Sequence, residues 1–330
     1  MYIYPSQISI ETFHGCNARC TFCHVNEWSR TQGEMKDETL NEIIKQLSSW
    51  PKGKIKQTAL MLNGEPLFDK KLELRLKKCK ENNLPNVGFT TNAGLMTKDR
   101  AEKIVDSDPD YVVFSFDTLN KEKYEEGRLR LKYERVLSNI ENFIKIRNKK
   151  NSKIRIVLRH IDFKGDKEEF RKYINFFKER LVNGQDEFSY TKVHNSAFAS
   201  SIKEGLNSNS EILYGDTPCG AVFNRLTIQH DGQVVLCPHD YDGIFNFGNV
   251  MEGNLLDFFN NEEFNNIRKL HSEKKRYKMK KCDGCDEPEL NKTGDMYAKY
   301  TIEGKRFYAN VYTGFDRDEE LKKLKEKRLT

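Results

Sequence analysis

Short apolar or β-rich runs alternate with amphipathic helical spacing over roughly the first 200 residues. QISIETF (7–13), TALMLNG (58–64), VGFTTNA (87–93), YVVFSFD (111–117), KIRIVLRHI (153–161) and FSYTKVHN (188–195) read as strands of a parallel sheet covered by helices. Between them, Leu40, Ile43, Ile44 and Leu47 fall at i, i+3, i+4 and i+7, and Phe170, Tyr173, Ile174, Phe177 and Leu181 extend the same spacing. Asp166 with Glu169 predicts a capping box at the start of that second helix. Leu72, Leu76 and Cys79 share one helical face, which makes Cys79 a core residue. Strand after strand followed by helix predicts an α/β chain, a partial (β/α)6 barrel with its function at the carboxyl ends of the strands.

The pattern changes near residue 200. A segment around 200–214 is rich in Ser, Asn and Gly and reads as a linker. RLTIQHDGQVVLC then predicts a hairpin turning at Asp231-Gly232, followed by a helix over 255–270, the pair CDGC, and a charged helix that ends the chain. The expected organisation is a barrel over 1–205, a small α+β domain over 206–290 and a tail over 291–330. No internal repeat is evident.

Composition narrows the class. With 330 residues, 37% hydrophobic and 32% charged, the chain has room for about two domains and a sizeable core. Its net charge of +6 is dispersed, which disfavours a nucleic-acid surface. No basic stretch followed by an apolar one opens the chain, and no run of 18 apolar residues occurs in it, so a cytoplasmic protein without membrane association is expected.

The eight cysteines carry the chemistry. Disulfide frameworks belong to small secreted chains. Seven of the eight instead fall into two groups, Cys16, Cys20 and Cys23, then Cys219, Cys237, Cys282 and Cys285. Three thiolates suit either a catalytic zinc with an open position or an iron-sulfur cluster whose fourth iron has no protein ligand. Four thiolates suit a zinc ribbon or a fully ligated cluster.

Cys-x3-Cys-x2-Cys after the first strand, with Phe22 before the third cysteine, resembles the radical S-adenosylmethionine (radical SAM) superfamily. The resemblance implies a 4Fe-4S cluster on Cys16, Cys20 and Cys23 whose open iron binds S-adenosylmethionine. Reductive cleavage then yields a 5′-deoxyadenosyl radical that abstracts hydrogen from a C–H bond. Asn63-Gly64-Glu65-Pro66 resembles the family's Gly-Gly-Glu motif, with Asn in place of the first glycine. TTNAG and SFDT resemble its cofactor-contacting segments, which makes Phe22, Gly64, Glu65, Asn92, Ser115 and Asp117 cofactor residues. Arg128 is expected either at the cofactor carboxylate or in a surface salt bridge. No clear match to the family's adenine motif follows the fifth strand.

The second cysteine group resembles the SPASM and twitch domains that follow many such barrels, and is similar to that of the 2-deoxy-scyllo-inosamine dehydrogenases. This implies a second 4Fe-4S cluster that accepts an electron, with Asp240 or His239 as the base and a flavodoxin or ferredoxin as reductant. The expected activity is dehydrogenation of a small sugar- or cyclitol-like substrate. The alternative is maturation of a peptide by thioether formation, crosslinking or epimerisation, which the 15 residues before Cys16 disfavour because such enzymes often carry a peptide-binding domain there. A zinc-ribbon protein acting on nucleic acid is the remote alternative.

Overall fold

Six parallel strands carry the first part of the chain: β1 (Gln7–Ile10), β2 (Gln57–Ala59), β3 (Val87–Thr91), β4 (Tyr111–Ser115), β5 (Arg155–Asp162) and β6 (Glu187–Lys192). The computed structural model describes residues 2–162, 167–182, 184–192, 218–283, 285, 297–302 and 305–310. Asp166, the linker around 200–214, the end of the FSYTKVHN run and the charged terminal helix lie outside these residues.

Each strand pairs in parallel with the next in chain order. Parallel neighbours need a long crossover. Helices α1 (Asp37–Ser48), α2 (Leu72–Glu81), α3 (Lys98–Asp106), α4 (Lys121–Gly127), α5 (Tyr133–Lys149) and α6 (Lys167–Phe177) lie in these connections. Leu40, Ile43, Ile44 and Leu47 of α1 are all buried, as are Leu72, Leu76 and Cys79 of α2. Helix α6 ends at Phe177, and Leu181 packs on the core from the turn beyond it.

The sheet does not stop at β1. After α7 (Ala221–Asn224), strand β7 (Arg225–Ile228) pairs in parallel with β1, Gln7 opposite Arg225. Strands β8 (Gln233–Val235) and β9 (Asn246–Asn249) then add antiparallel, giving the order β6-β5-β4-β3-β2-β1-β7-β8-β9. Gly232 closes the β7–β8 turn with φ +90°, a conformation that favours glycine. The helix expected over 255–270 is two, α8 (Leu255–Phe259) and α9 (Glu262–Ser272), because the Asn261 side chain caps α9 by accepting the Phe264 N–H at 2.8 Å. A hairpin of β10 (Tyr297–Ile302) and β11 (Lys305–Asn310) lies in the final segment. Among the described residues no helix is long and apolar enough to cross a membrane.

Candidate functional site

The first cysteine loop runs across the carboxyl ends of the strands. Residues Arg19–Cys20 pair antiparallel with Arg128–Leu129, placing Cys20 opposite Arg128. Nitrogen donors face two of the sulfurs: Ala18 N–H and Asn92 Nδ2 lie 3.4 and 3.8 Å from Cys16 Sγ, and Arg128 Nη1 lies 3.8 Å from Cys20 Sγ. Burial works the other way, pushing the Cys16 and Cys23 thiols up to about 12 and raising that of Cys20. Partly desolvated thiols of this kind give up their protons when a metal supplies compensating positive charge. The set therefore fits a cluster that takes three thiolates and keeps one iron open.

The strand-end residues brace this loop. Gly64 has φ +107°, and a Cβ there would lie 2.5 Å from the Gly15 carbonyl oxygen. The next peptide donates its N–H to the same oxygen at 2.8 Å, so NGEP lies directly on the backbone leading to Cys16. Glu65 is buried and accepts hydrogen bonds from Leu67 N–H, Thr91 Oγ1 and Asn92 N–H at 3.0, 2.6 and 2.8 Å. Burial raises its carboxyl against these donors. Asn92 in turn donates to Asn17 Oδ1 at 2.8 Å, and half-buried Ser115 closes β4. Asp117 accepts from both Nε and Nη2 of Arg128, whose guanidinium stands 5.2 Å over the Phe22 ring. The salt bridge expected of Arg128 is present, but buried rather than at the surface.

Gly64→Ala is accordingly expected to cost about 1–3 kcal/mol and to lower first-site iron while second-site iron is retained. Iron analysis with thermal melting checks this; full iron and an unchanged melt would show that NGEP can move off the cysteine loop.

The second group converges as well. Cys219, Cys237, Cys282 and Cys285 line one cavity together with His239 and His271. Burial pushes the Cys282 thiol up to about 12 and raises that of Cys237 well above its ordinary value. Four thiols around one cavity, Cys282 and Cys285 buried and Cys219 and Cys237 half-buried, fit a fully ligated iron-sulfur cluster. Asp240 follows in the same loop. Its carboxylate accepts the N–H groups of Ile244 and Phe245 at 2.9 and 3.0 Å, and burial raises its pKa against those donors.

Packed side chains join the two groups. The His24 ring, next to Cys23, donates its Nε2–H to Asn63 Oδ1 at 2.7 Å and stacks on Tyr241 at 4.4 Å. The Lys281 ammonium, next to Cys282, lies 4.2 Å over the same Tyr241 ring. Arg30 Nε donates to the Tyr241 carbonyl at 2.7 Å, and Nη2 of the same guanidinium donates to both oxygens of buried Glu11. Burial alone would raise the Glu11 carboxyl; hydrogen bonds from His14 and His230, with the Arg30 charge, hold it at about 2. His14 and His24 were legible as neighbours of the cysteine loop. Glu11, Arg30, His230 and Tyr241 had no motif to mark them, since their partners are distant in the chain.

The fold is thus a parallel half-barrel with three thiols over its strand ends, followed by a four-thiol site. A family profile described as the radical SAM superfamily matches residues 10–176, half of the chain, and one described as an iron-sulfur cluster-binding domain, SPASM, matches residues 219–286. The chain belongs to the radical SAM superfamily and carries a SPASM domain.

Its sequence is 30% identical over 132 residues to a probable GTP 3',8-cyclase of Methanococcus maripaludis, covering 40% of this chain and 43% of that protein. It is 32% identical over 149 residues to molybdenum cofactor biosynthesis protein 1 of Dictyostelium discoideum, covering 44% of this chain and 23% of that one. The chain thus spans less than half the length of these relatives. In fold it resembles BtrN in complex with AdoMet and 2-DOIA, with TM-score 0.57, 19% identity and coverage of 87% of this chain and 94% of that one. It also resembles Streptococcus suis SuiB bound to precursor peptide SuiA, with TM-score 0.64, 19% identity and coverage of 94% and 76%. At such identities the likeness is one of fold.

Proposed function

We propose that the protein is an oxidoreductase that converts a hydroxyl-bearing carbon of a small polar, sugar- or cyclitol-like molecule to a ketone. The observation that carries this reading is the four-cysteine cavity joined by His24, Tyr241 and Lys281 to the three-cysteine loop. In this reading residues 1–205 form the radical barrel, 206–290 the second cluster domain and 291–330 a tail. Cys16, Cys20 and Cys23 hold one 4Fe-4S cluster, and Cys219, Cys237, Cys282 and Cys285 hold another. When bound and reduced, the first supplies cleavage of S-adenosylmethionine to methionine and a 5′-deoxyadenosyl radical, and the second, with no open iron, supplies one-electron acceptance.

The chain's own residues hold and orient. Gly64 and Glu65 set the NGEP backbone against the cysteine loop, and Asn92, Ser115, Asp117, Arg128 and Phe22 shape the cofactor side. Loss of one hydrogen atom, one proton and one electron takes the carbinol to the ketone, and the proton goes to Asp240 or His239 in the loop after Cys237. Asp240→Asn is expected to lower ketone yield about 100-fold while deoxyadenosine still forms and second-site iron stays. Normal ketone yield would remove Asp240 as the base.

A ferredoxin- or flavodoxin-type protein is the proposed reductant. The deciding experiment supplies reconstituted protein with reductant, S-adenosylmethionine and polyols deuterated at the carbinol carbon. Deuterium in 5′-deoxyadenosine together with ketone product is expected. The match to SuiB, whose structure holds a precursor peptide, supports peptide maturation as a second reading. Absence of transfer from every sugar and cyclitol, with modification of a supplied peptide, would favour it.

A further inference from the structure

Two buried side chains beside the four-cysteine cavity carry N–H groups without an acceptor among the described residues. His271, on α9, is 1% exposed, and its Nδ1 accepts the backbone N–H of Cys219 at 3.0 Å. That bond assigns the tautomer. A neutral imidazole that accepts at Nδ1 carries its proton on Nε2, and His271 Nε2 is buried with no partner. Arg276 is also 1% exposed; its Nη1 donates to the carbonyls of Cys282 and Cys285, the latter at 3.0 Å, while Nε and Nη2 have no partner. Both residues line the cavity that the four cysteines line. Buried donors are almost always paired, and a cluster held in the cavity that both residues line would bring sulfur acceptors to it.

We propose that His271 Nε2–H and the free guanidinium edge of Arg276 donate to the sulfurs of the cluster held by Cys219, Cys237, Cys282 and Cys285, and thereby raise its reduction potential. This rests on the reading of those four cysteines as cluster ligands. The direction follows from charge. Reduction adds an electron to a centre already made anionic by four thiolates, and N–H donors and a fixed cation stabilise the more negative state. A raised potential is what an acceptor of a substrate-derived electron needs. His271 and Arg276 are positioning residues that act on that potential and touch no substrate in this account.

The test uses the full chain carrying Cys16→Ala, Cys20→Ala and Cys23→Ala, so that only the second site reports. Iron is counted, and the midpoint potential is read by redox titration with electron paramagnetic resonance, for this parent and with His271→Leu or His271→Gln added. The parent is expected to hold about four irons. The Leu variant should shift the one-electron reduction equilibrium about tenfold toward the oxidised form, about 59 mV. Gln, whose amide keeps both an acceptor and an N–H donor, should restore most of that shift. Equal potentials in the parent and the Leu variant at equal iron would overturn the proposal and leave the cluster standing. Zinc or no iron in the parent would overturn the cluster reading beneath it. Should the Leu variant lose its iron, pulsed resonance on 15N-histidine-labelled protein decides: a nitrogen coupling present in the parent and absent in the Gln variant supports the bond, and its absence from the parent overturns it.

Discussion

Replacing Cys16, Cys20 and Cys23 together by Ala is expected to lower the iron content from about eight to about four per chain and to abolish formation of 5′-deoxyadenosine. The expectation is sharp because the two thiol groups sit on separate parts of the sheet. The first lies over the carboxyl ends of β1 and its neighbours, and the second lines its own cavity beside α9. Cys20 belongs to the same buried core as Ile8, Phe89, Val112 and Ile156, and Cys16 and Cys23 pack against it, but Cys-to-Ala removes a single sulfur from each and leaves the strand and helix residues in place. Secondary structure by circular dichroism should therefore survive the triple change. Iron and sulfide analysis, electron paramagnetic resonance and a deoxyadenosine assay check the rest. Zinc at the second site would remove the electron-acceptor reading. No deoxyadenosine from the unmodified protein with reductant present would count against the radical activity itself.

Asp117→Asn is expected to destabilise the fold by about 3–5 kcal/mol and to reduce iron at the first site with it. Burial disfavours the Arg128 guanidinium, but Asp117 and the nearby Cys20 more than offset this and hold its pKa well above the ordinary value. Asp117 and Arg128 are 3% and 5% exposed, so an Asn leaves a buried cation with its main counter-charge removed. The damage should spread to the cysteines, because Arg128 also pairs through its backbone with Cys20 and covers the Phe22 ring. Urea unfolding with iron analysis on the same samples measures both effects. A loss of stability below about 1 kcal/mol would show that the pair behaves like an exposed one and does not hold the loop.

Much of the barrel was legible because burial and periodicity are local properties. The apolar run before Asn63 marks a strand, but β2 ends at Ala59; Leu60 is buried and Met61 and Leu62 are half-buried without continuing the strand, as the chain turns so that NGEP reaches Gly15. Apolar spacing over 255–270 predicts one helix because it does not register a side chain such as Asn261 that starts a new one. Asp240 stood out as an acid beside a cysteine. That its carboxylate clamps the N–H groups of Ile244 and Phe245 depends on a turn that residue types alone do not specify.

By itself the sequence determined the spacing of Cys16, Cys20 and Cys23, the alternation of strand and helix, the Asp231-Gly232 turn and the burial of Cys79, each a consequence of residues within a few positions of one another. Tertiary structure decided what meets across the chain. Strand β7 lies beside β1, Tyr241 lies between His24 and Lys281, and His271 reaches a cysteine 52 positions away. Such contacts form because the sheet must cover its edge and bury its faces, and only the closed chain brings those surfaces together.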